Sequence, residues 1–495
     1  MSATLDRYRP LFDPRGVIIA GASSHPGKFG FVAAHNVLAH GYPGRVFLTN
    51  REGAEILGEK ALRDVDEVPD GAADLVFVCT PPTSVPDLLR ACAAKGVRAA
   101  FISSAGYGEA SEEGKRAERE LADLCDELGI LLAGPNGQGV ISTPASLCAQ
   151  IIAPYPPRGH VAVASQSGGF VQAFLNYSRK LGVGVSRAVS AGNSAQTKVE
   201  DYLDYFAEDP ETHVGLIYVE GIEDGRRFFA KAKHAAERKP LVVLKGGTTS
   251  GGQRAAASHT GALASDDEVF SGMCRQAGLT RARTVEEAFE VAAAFAVHPA
   301  PRGRNVFVLT TAGGWGVVTA DCLSASSELD LMPLPKDLEA EFDRRLPPRW
   351  SRNNPADMAG GETRDTVVEC LEQTVAHPGV DAVILLGVGI QSNLGDLERR
   401  GRFYPDFGLE RIVEYHERQD GRYANAAVEL ERRYGKPIVI ATELADTQPE
   451  NPGPRTLREL GSFAFPSSYR AIGALEHQLR WTRWRERRGL GPVAR

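Results

Sequence analysis

The sequence predicts an α/β protein made of parallel sheets covered by helices. Three observations predict it: short β-branched runs that end in small or turn residues, longer helical patterns between them, and glycine in excess at the junctions. The 52 glycines in 495 residues exceed the usual ~7% and point to tight turns or backbone-lined sites. At roughly 100 to 200 residues per domain, the length accommodates about three domains, each large enough to bury its own core.

The first block holds five predicted strands, Gly16–Gly21, Arg45–Asn50, Asp74–Thr80, Ala99–Ser103 and Gly129–Ala133, spaced to leave room for crossover helices. Pro154-Tyr-Pro-Pro157 interrupts regular structure, and Gly159–Ala164, Gly215–Val219 and Pro240–Leu244 resume the pattern as a second α/β domain beginning near 150. His298-Pro-Ala-Pro-Arg-Gly303 is a second joint, followed by strands at Asn305–Thr310, Ala382–Leu386 and Pro437–Ile440. The charged stretch 393–434 reads as a partly helical, solvated insertion on the third sheet. The segment Tyr469–Arg487 reads as a terminal helix with its tryptophans packed inward, despite the basic cluster Arg480–Arg488.

Composition excludes several classes. The formal charge is −7 from 56 basic and 63 acidic residues, with no long tail of either sign, so nucleic acid is not a favoured partner. The N-terminus lacks the apolar stretch of a signal peptide and no run approaches a membrane span, so a cytoplasmic protein without membrane contact is expected. The seven cysteines are scattered, with no Cys-x-x-Cys pair; they read as core hydrophobes, and no metal site is expected.

Small-residue loops after predicted strands are the candidate sites. Gly21-Ala-Ser-Ser-His-Pro-Gly-Lys-Phe-Gly30 follows a strand and opens a helix, where backbone N–H groups hold anions. NAD is disfavoured, because Ser23 stands where the dinucleotide fingerprint needs glycine and the second strand ends at Asn50 rather than an acidic residue. The loops Thr80-Pro-Pro-Thr83, Ser103–Gly108 and Gly134–Gly139 fall on the same sheet edge, where a ligand lies across strand ends. In the second domain, Ser165-Gln-Ser-Gly-Gly169 is another oxyanion or phosphate cradle; Val163 rules out the Gly-x-Ser-x-Gly elbow of a serine hydrolase. His259, flanked by Ser258 and Thr260 after a glycine-rich segment, suits attack on phosphorus, and Glu220 could orient its ring; an incidental loop histidine and a surface carboxylate are the plain alternatives. Leu309–Gly316 and Asn354-Pro-Ala-Asp357 are, on spacing alone, as readily structural as functional.

Taken together, Gly21-Ala-Ser-Ser24, Gly27-Lys-Phe-Gly30, Gly134-Pro-Asn136, Ser165-Gln-Ser-Gly168, Gly192-Asn193, Tyr218-Val-Glu-Gly221, Ser258-His-Thr-Gly-Ala262, Thr311-Ala-Gly-Gly314 and Asn354-Pro-Ala-Asp357 resemble the NDP-forming acyl-CoA synthetases. Within them the series is most similar to the α part of ADP-forming acetate–CoA ligase, and more distantly to the succinyl-CoA synthetase α subunit. The resemblance implies a Rossmann-like CoA-binding domain over 1–148, a flavodoxin-like domain carrying a phosphohistidine over 149–298, and a second flavodoxin-like ligase domain over 299–495. It implies that acyl-CoA and phosphate give acyl phosphate and CoA, and that the phosphoryl group passes to His259 and then to ADP. By the same match Glu220 stabilises phosphohistidine, and Ser165, Ser167, Gly168, Gly169, Gly192 and Asn193 hold phosphate. CoA is expected against Gly21, Ser23, Ser24, Lys28, Phe29, Gly30, Asn50, Thr80, Pro81, Pro82, Ser104, Ala105, Gly106 and Asn136.

The family's ATP-grasp module, roughly 200 residues, has no room in this chain. A separate β subunit holding ATP or ADP with Mg2+ is therefore expected, in a hetero-oligomer, with a homodimer as the other assembly. Position 137 is glycine where relatives often carry cysteine or serine, and the acyl group is not specified by these motifs. The competing reading is a CoA-binding regulatory or scaffold protein that keeps the fold without turnover.

Overall fold

The computed structural model describes residues 2–254, 266–358 and 365–491. They form two compact units, one chiefly of Met1–Lys180 with Gly184–Ala292, the other of Ala293–Pro492 with Leu181–Val183. The first unit contains two large sheets and the small antiparallel pair Glu55–Ile56 with Glu59–Lys60, and the second unit contains one sheet.

The first sheet is parallel, in the order Arg45–Thr49, Gly16–Ala20, Leu75–Val78, Ala99–Ile102, Leu131–Ala133. The three central strands are buried along their whole length, as near-continuous apolar runs require when helices cover both faces. Phe77 and Phe101 stack at 5.2 Å between ring centres, and burying each ring stabilises the core by roughly 1.5–3 kcal/mol. The helix Glu112–Leu128 shows how sequence sets the boundaries. Ser111 accepts a hydrogen bond from Gly114 N, Glu112 and Glu113 face the positive end of the dipole, and Gly129 at φ 67° ends the helix.

The second sheet runs Thr280–Ala282, Leu241–Lys245, Val214–Val219, Arg158–Ser165, Val185–Ser190, all parallel; the antiparallel hairpin Gly139–Ser142 and Leu147–Gln150 extends it. The chain thus joins this sheet at Gly139, and the expected break at 148/149 falls inside one of its strands. Val185–Ser190 and the hairpin were absent from the sequence expectation.

In the second unit the parallel order is Asp330–Leu331, Asn305–Thr310, Ala382–Leu386, Ile438–Ala441, Ala464–Phe465, with Ala356–Asp357 pairing beside Leu309 and Thr310. The 393–434 stretch corrects the expectation of a solvated insertion. It forms the helices Ile390–Arg399 and Leu409–Tyr434, and Tyr423, Ala424, Ala427, Val428 and Leu430 of the longer one pack into the core with Phe307 and Leu385. Two buried acids on that face misled the hydropathy reading. Asp420 accepts hydrogen bonds from Gly389 N (2.9 Å) and Ser392 N (2.6 Å), and Glu431 from Ile438 N (2.8 Å), with His298 Nδ1 at 2.8 Å. On the terminal helix Ser468–Glu486, Trp481 and Trp484 are buried, Trp481 meeting Phe295 edge-on.

Ignoring the hairpin and the short pairing strand, each large sheet has its strands in the chain order 2-1-3-4-5. Each therefore reverses direction once, between its first and third strands, and opens a crevice at their carboxyl ends. All seven cysteines are free, and burial pushes the Cys92, Cys125, Cys148, Cys274 and Cys370 thiols up to about 12, as core residues. No described helix is long and apolar enough to cross a membrane.

Candidate active site

In the first sheet the crevice lies between the ends of Gly16–Ala20 and Leu75–Val78. Gly21 lies against Cys79 and Thr80 there. The helix Phe29–Ala39 begins at Lys28, which makes no side-chain cap, so the first N–H groups of that helix are open to an anion. Gly30 is required by close approach: a β-carbon there would overlap the carbonyl oxygen of Gly21. Ser24, Lys28 and Phe29 are exposed at the mouth. Ser23 Oγ accepts from His25 N (3.1 Å), which shapes the loop.

Asn50 braces this loop. It donates from Nδ2 to Ala22 O (2.8 Å) and accepts at Oδ1 from Glu52 N (2.9 Å), tying the second strand end to the 21–22 turn. Thr80 Oγ1 is buried with no hydrogen-bond partner among the described residues, an atom ready for a ligand. Ser104 Oγ donates to Thr80 O, and Gly106 lies against the Pro82 ring, so the loops of Thr80, Pro81 and Pro82 and of Ser104, Ala105 and Gly106 are neighbours.

The second sheet reverses between Arg158–Ser165 and Val214–Val219, which brings the Ser165–Gly169 loop beside Glu220. Ser165 Oγ donates to Ser167 O (2.6 Å) and accepts from Ser167 N (3.1 Å), closing the loop on itself. Gln166 fastens it to the next strand end: its Oε1 accepts from Glu220 N (2.6 Å) and Gly221 N (3.3 Å), and its Nε2 donates to Gly221 O (3.0 Å). The helix Gly168–Leu181 starts at this point, with Gly169 exposed, so first-turn N–H groups face the crevice. Glu220 is 8% exposed. Burial, then the charge and hydrogen bond of Glu220, hold the Tyr218 phenol well above its ordinary range.

His259 lies outside the described residues. The strand Leu241–Lys245 that precedes it ends beside Glu220, since a β-carbon on Gly246 would stand 3.5 Å from Glu220 Cγ. Lys245, which the motif reading missed, is buried there and donates from Nζ to Gly246 O (3.1 Å) and Gly247 O (3.3 Å), and burial lowers its pKa. A charged residue closing an otherwise apolar strand run was the available signal.

Asn193, expected with Gly192 at the phosphate, also links the two half-sites. Asn193 Nδ2 donates to Glu109 and to Glu118 Oε2 (2.7 Å), and its Oδ1 accepts from Asn136 Nδ2 (3.2 Å). The backbone repeats the link, with Asn193 N on Pro135 O (2.9 Å) and Ala195 N on Gly134 O (3.0 Å). Glu109 also accepts from Gly106 N and Tyr107 N. Burial acts to raise its pKa, but these hydrogen bonds outweigh it and hold the carboxyl below its usual range. Neither acid was among the expected site residues.

In the second unit, Thr311–Gly314 lead into the helix Gly313–Ser324, and Asp357 Oδ2 lies 2.5 Å from where a β-carbon on Gly313 would stand. Asn354 is structural: it accepts from Val308 N (2.9 Å) and donates to Val306 O (3.0 Å) and Met332 O (2.9 Å), bridging two strands. No cluster of metal-ligand residues occurs among the described residues.

Three family models match the chain in series: a CoA binding domain over residues 15–143, a succinyl-CoA ligase like flavodoxin domain over 158–295, and a ligase-CoA domain over 306–389. Among curated proteins, the chain is 34% identical over 479 residues to the acetate–CoA ligase [ADP-forming] I subunit alpha of Pyrococcus furiosus, covering 96% of this chain and 98% of that one. It is 36% identical over 376 residues to the acetate–CoA ligase [ADP-forming] I of Archaeoglobus fulgidus, covering 76% of this chain but 54% of that longer protein. Among solved structures it resembles the dinucleotide forming acetyl-coenzyme A synthetase 1 of Candidatus Korarchaeum cryptofilum, in complex with phosphate and ADP, at a TM-score of 0.83 and 29% identity, over 98% of this chain and 99% of that one.

Proposed function

The chain belongs to the family of ADP-forming acetate–CoA ligases, and from that premise we propose that it is the α part of an ADP-forming acyl-CoA synthetase. The observation that carries the reading is the Ser165–Gly169 loop fixed by Gln166 against Glu220, in the crevice of a sheet joined through Asn193 to the loops of a CoA-binding fold.

In the proposed reaction, phosphate attacks the thioester carbonyl, the C–S bond breaks, and acyl phosphate and the CoA thiol result. The imidazole of His259 then attacks phosphorus and expels the carboxylate. The N–P bond breaks in turn as the phosphoryl group passes to ADP, giving ATP; every step is reversible. The N–H groups of Gly168 and Gly169 would bind the phosphate oxygens and stabilise charge on them, and one such donor contributes about 2.7–4 kcal/mol in comparable sites. Glu220 would accept a hydrogen bond from the second imidazole nitrogen and favour the charged phosphohistidine. CoA would lie across the first sheet's strand ends, its phosphates at the N-terminus of Phe29–Ala39 near Lys28, with Thr80 Oγ1 and the Ser104–Gly106 loop alongside.

The nucleotide half-reaction would need a separate ATP-grasp β subunit holding ADP and Mg2+. The relatives named as alpha subunits, and the single-chain ligase of which this chain covers 54%, support that division. The free thiols suit the reducing cytoplasm proposed as its compartment.

Incubation with acyl-CoA and radiolabelled phosphate tests the reading. One acid-labile, base-stable label is expected, absent in His259→Asn and discharged to ADP only when the β subunit is added. Equal labelling of His259→Asn rejects the assignment, and CoA binding with no label under any partner supports the scaffold alternative.

A further inference from the structure

The segment Gly134–Gly139 is the covalent path from the CoA crevice to the phosphate cradle, and its side chains are unequally available. Asn136 is exposed and donates from Nδ2 to Asn193 Oδ1. Gly137 has no side chain, and a β-carbon there would lie 2.6 Å from both Phe101 Cζ and Ser190 O, so the space that cysteine or serine would need is filled. Gly139 is also bare. Gln138 lies against Gly168, where a β-carbon would overlap its Cδ and Nε2.

The carboxamide is therefore packed on the first residue of the cradle helix. Its Oε1 is buried and accepts no hydrogen bond among the described residues. Ser190 Oγ, on the strand end paired with Ser165, is a second buried group without a partner. The main chain is fixed as well, Gln138 O accepting from Ile151 N at 2.9 Å. Burying a polar atom unpaired is costly, and unpaired acceptors at a site mark where a ligand supplies the donor.

We infer that Gln138 reads the acyl group, its Oε1 accepting a hydrogen bond from a hydroxyl on the acyl chain, so that hydroxyacyl thioesters are preferred over unsubstituted ones. This rests on the reading of Ser165–Gly169 as the phosphate cradle. A site built to pair with a substrate hydroxyl discriminates strongly against the analogue that lacks it, because the site's own group is then left unpaired.

Calorimetric titration of the full chain with propionyl-CoA, 2-hydroxypropionyl-CoA and 3-hydroxypropionyl-CoA tests the inference. The wild type should bind one hydroxy ester at least about tenfold more tightly than propionyl-CoA. Gln138→Met, of similar length but without the acceptor, should bring that ratio to within about twofold, and Gln138→Leu should do the same; circular dichroism and melting establish that each variant is folded. Equal binding of the three esters by the wild type, or a preference that survives both substitutions, overturns the inference. Phosphate labelling reports on the other reading separately: a chain that discriminates between the esters yet takes no label supports the role of Gln138 and counts against turnover alone.

Discussion

The two crevices of the first unit share one strand order and one device, a small-residue loop feeding the N-terminus of a helix, yet they are finished differently. Around Gly21–Gly30 the helix start is uncapped by any side chain and the mouth is lined by exposed Lys28 and Phe29. Around Ser165–Gly169 the loop is closed by Ser165 and bolted to Glu220 and Gly221 by Gln166. The difference teaches that backbone donors make an anion site, while the side chains that brace the loop decide its size and rigidity. An open mouth suits a long, flexible cofactor; a braced loop suits a small ion that must be held in one place.

Substitutions that strike one crevice and spare the other sharpen the contrast. Gly30→Val should have the largest effect, weakening CoA binding by at least about 100-fold in a titration while leaving the second unit's melting unchanged, since a side chain at this position collides with backbone. Gln166→Leu removes the bolts and leaves buried N–H groups unpaired, a loss of about 2–3 kcal/mol in denaturant midpoint analysis, with histidine labelling slowed by roughly 30-fold or more. Ser165→Ala should cost about 1 kcal/mol and slow labelling several-fold with CoA affinity unchanged; equal damage to both functions would break the comparison.

The smallest effect is expected at the amino ends of the central strands Gly16–Ala20 and Leu75–Val78, opposite the crevice. Arg15 donates from Nη2 to Asp74 Oδ1 at 2.6 Å, with the guanidinium largely exposed. Burial acts to raise the Asp74 pKa, but the Arg15 hydrogen bonds prevail and hold it below the ordinary carboxylate value. A depressed carboxylate stabilises the fold fully above about pH 4, and the contribution is lost as pH falls through the folded value. Asp74→Asn should thus lower stability by at most about 1 kcal/mol at pH 7, with the gap closing on acidification and neither crevice affected.

The strand-end loops were legible because a glycine or serine after an apolar run is a local signal. Gly21, Gly30, Ser165 and Glu220 all stand at the crevices where those signals place them. Val185–Ser190 was missed because Ser186 and Arg187 break its apolar run, and Arg187 is accommodated inside by Asp209 at 3.1 Å, a partner that local patterning does not reveal. Leu409–Tyr434 was misjudged for the same reason: Asp420 and Glu431 face inward because distant backbone N–H groups meet them. Asn50 and Asn193 show the limit at the site itself. An amide in a loop can serve a ligand, a neighbouring segment or both, and the neighbour it meets is set by residues far away in the chain, such as Glu109 for Asn193.

The Asn193 junction also governs how this architecture can be recombined. A chimaera that took its cofactor half from one homologue and its phosphoryl half from another would keep this junction only where both parents carry compatible residues at its four positions. Glu109, Glu118, Asn136 and Asn193 therefore form a unit of inheritance. A crossover between 136 and 193 is expected to cost stability wherever the parents differ at these positions.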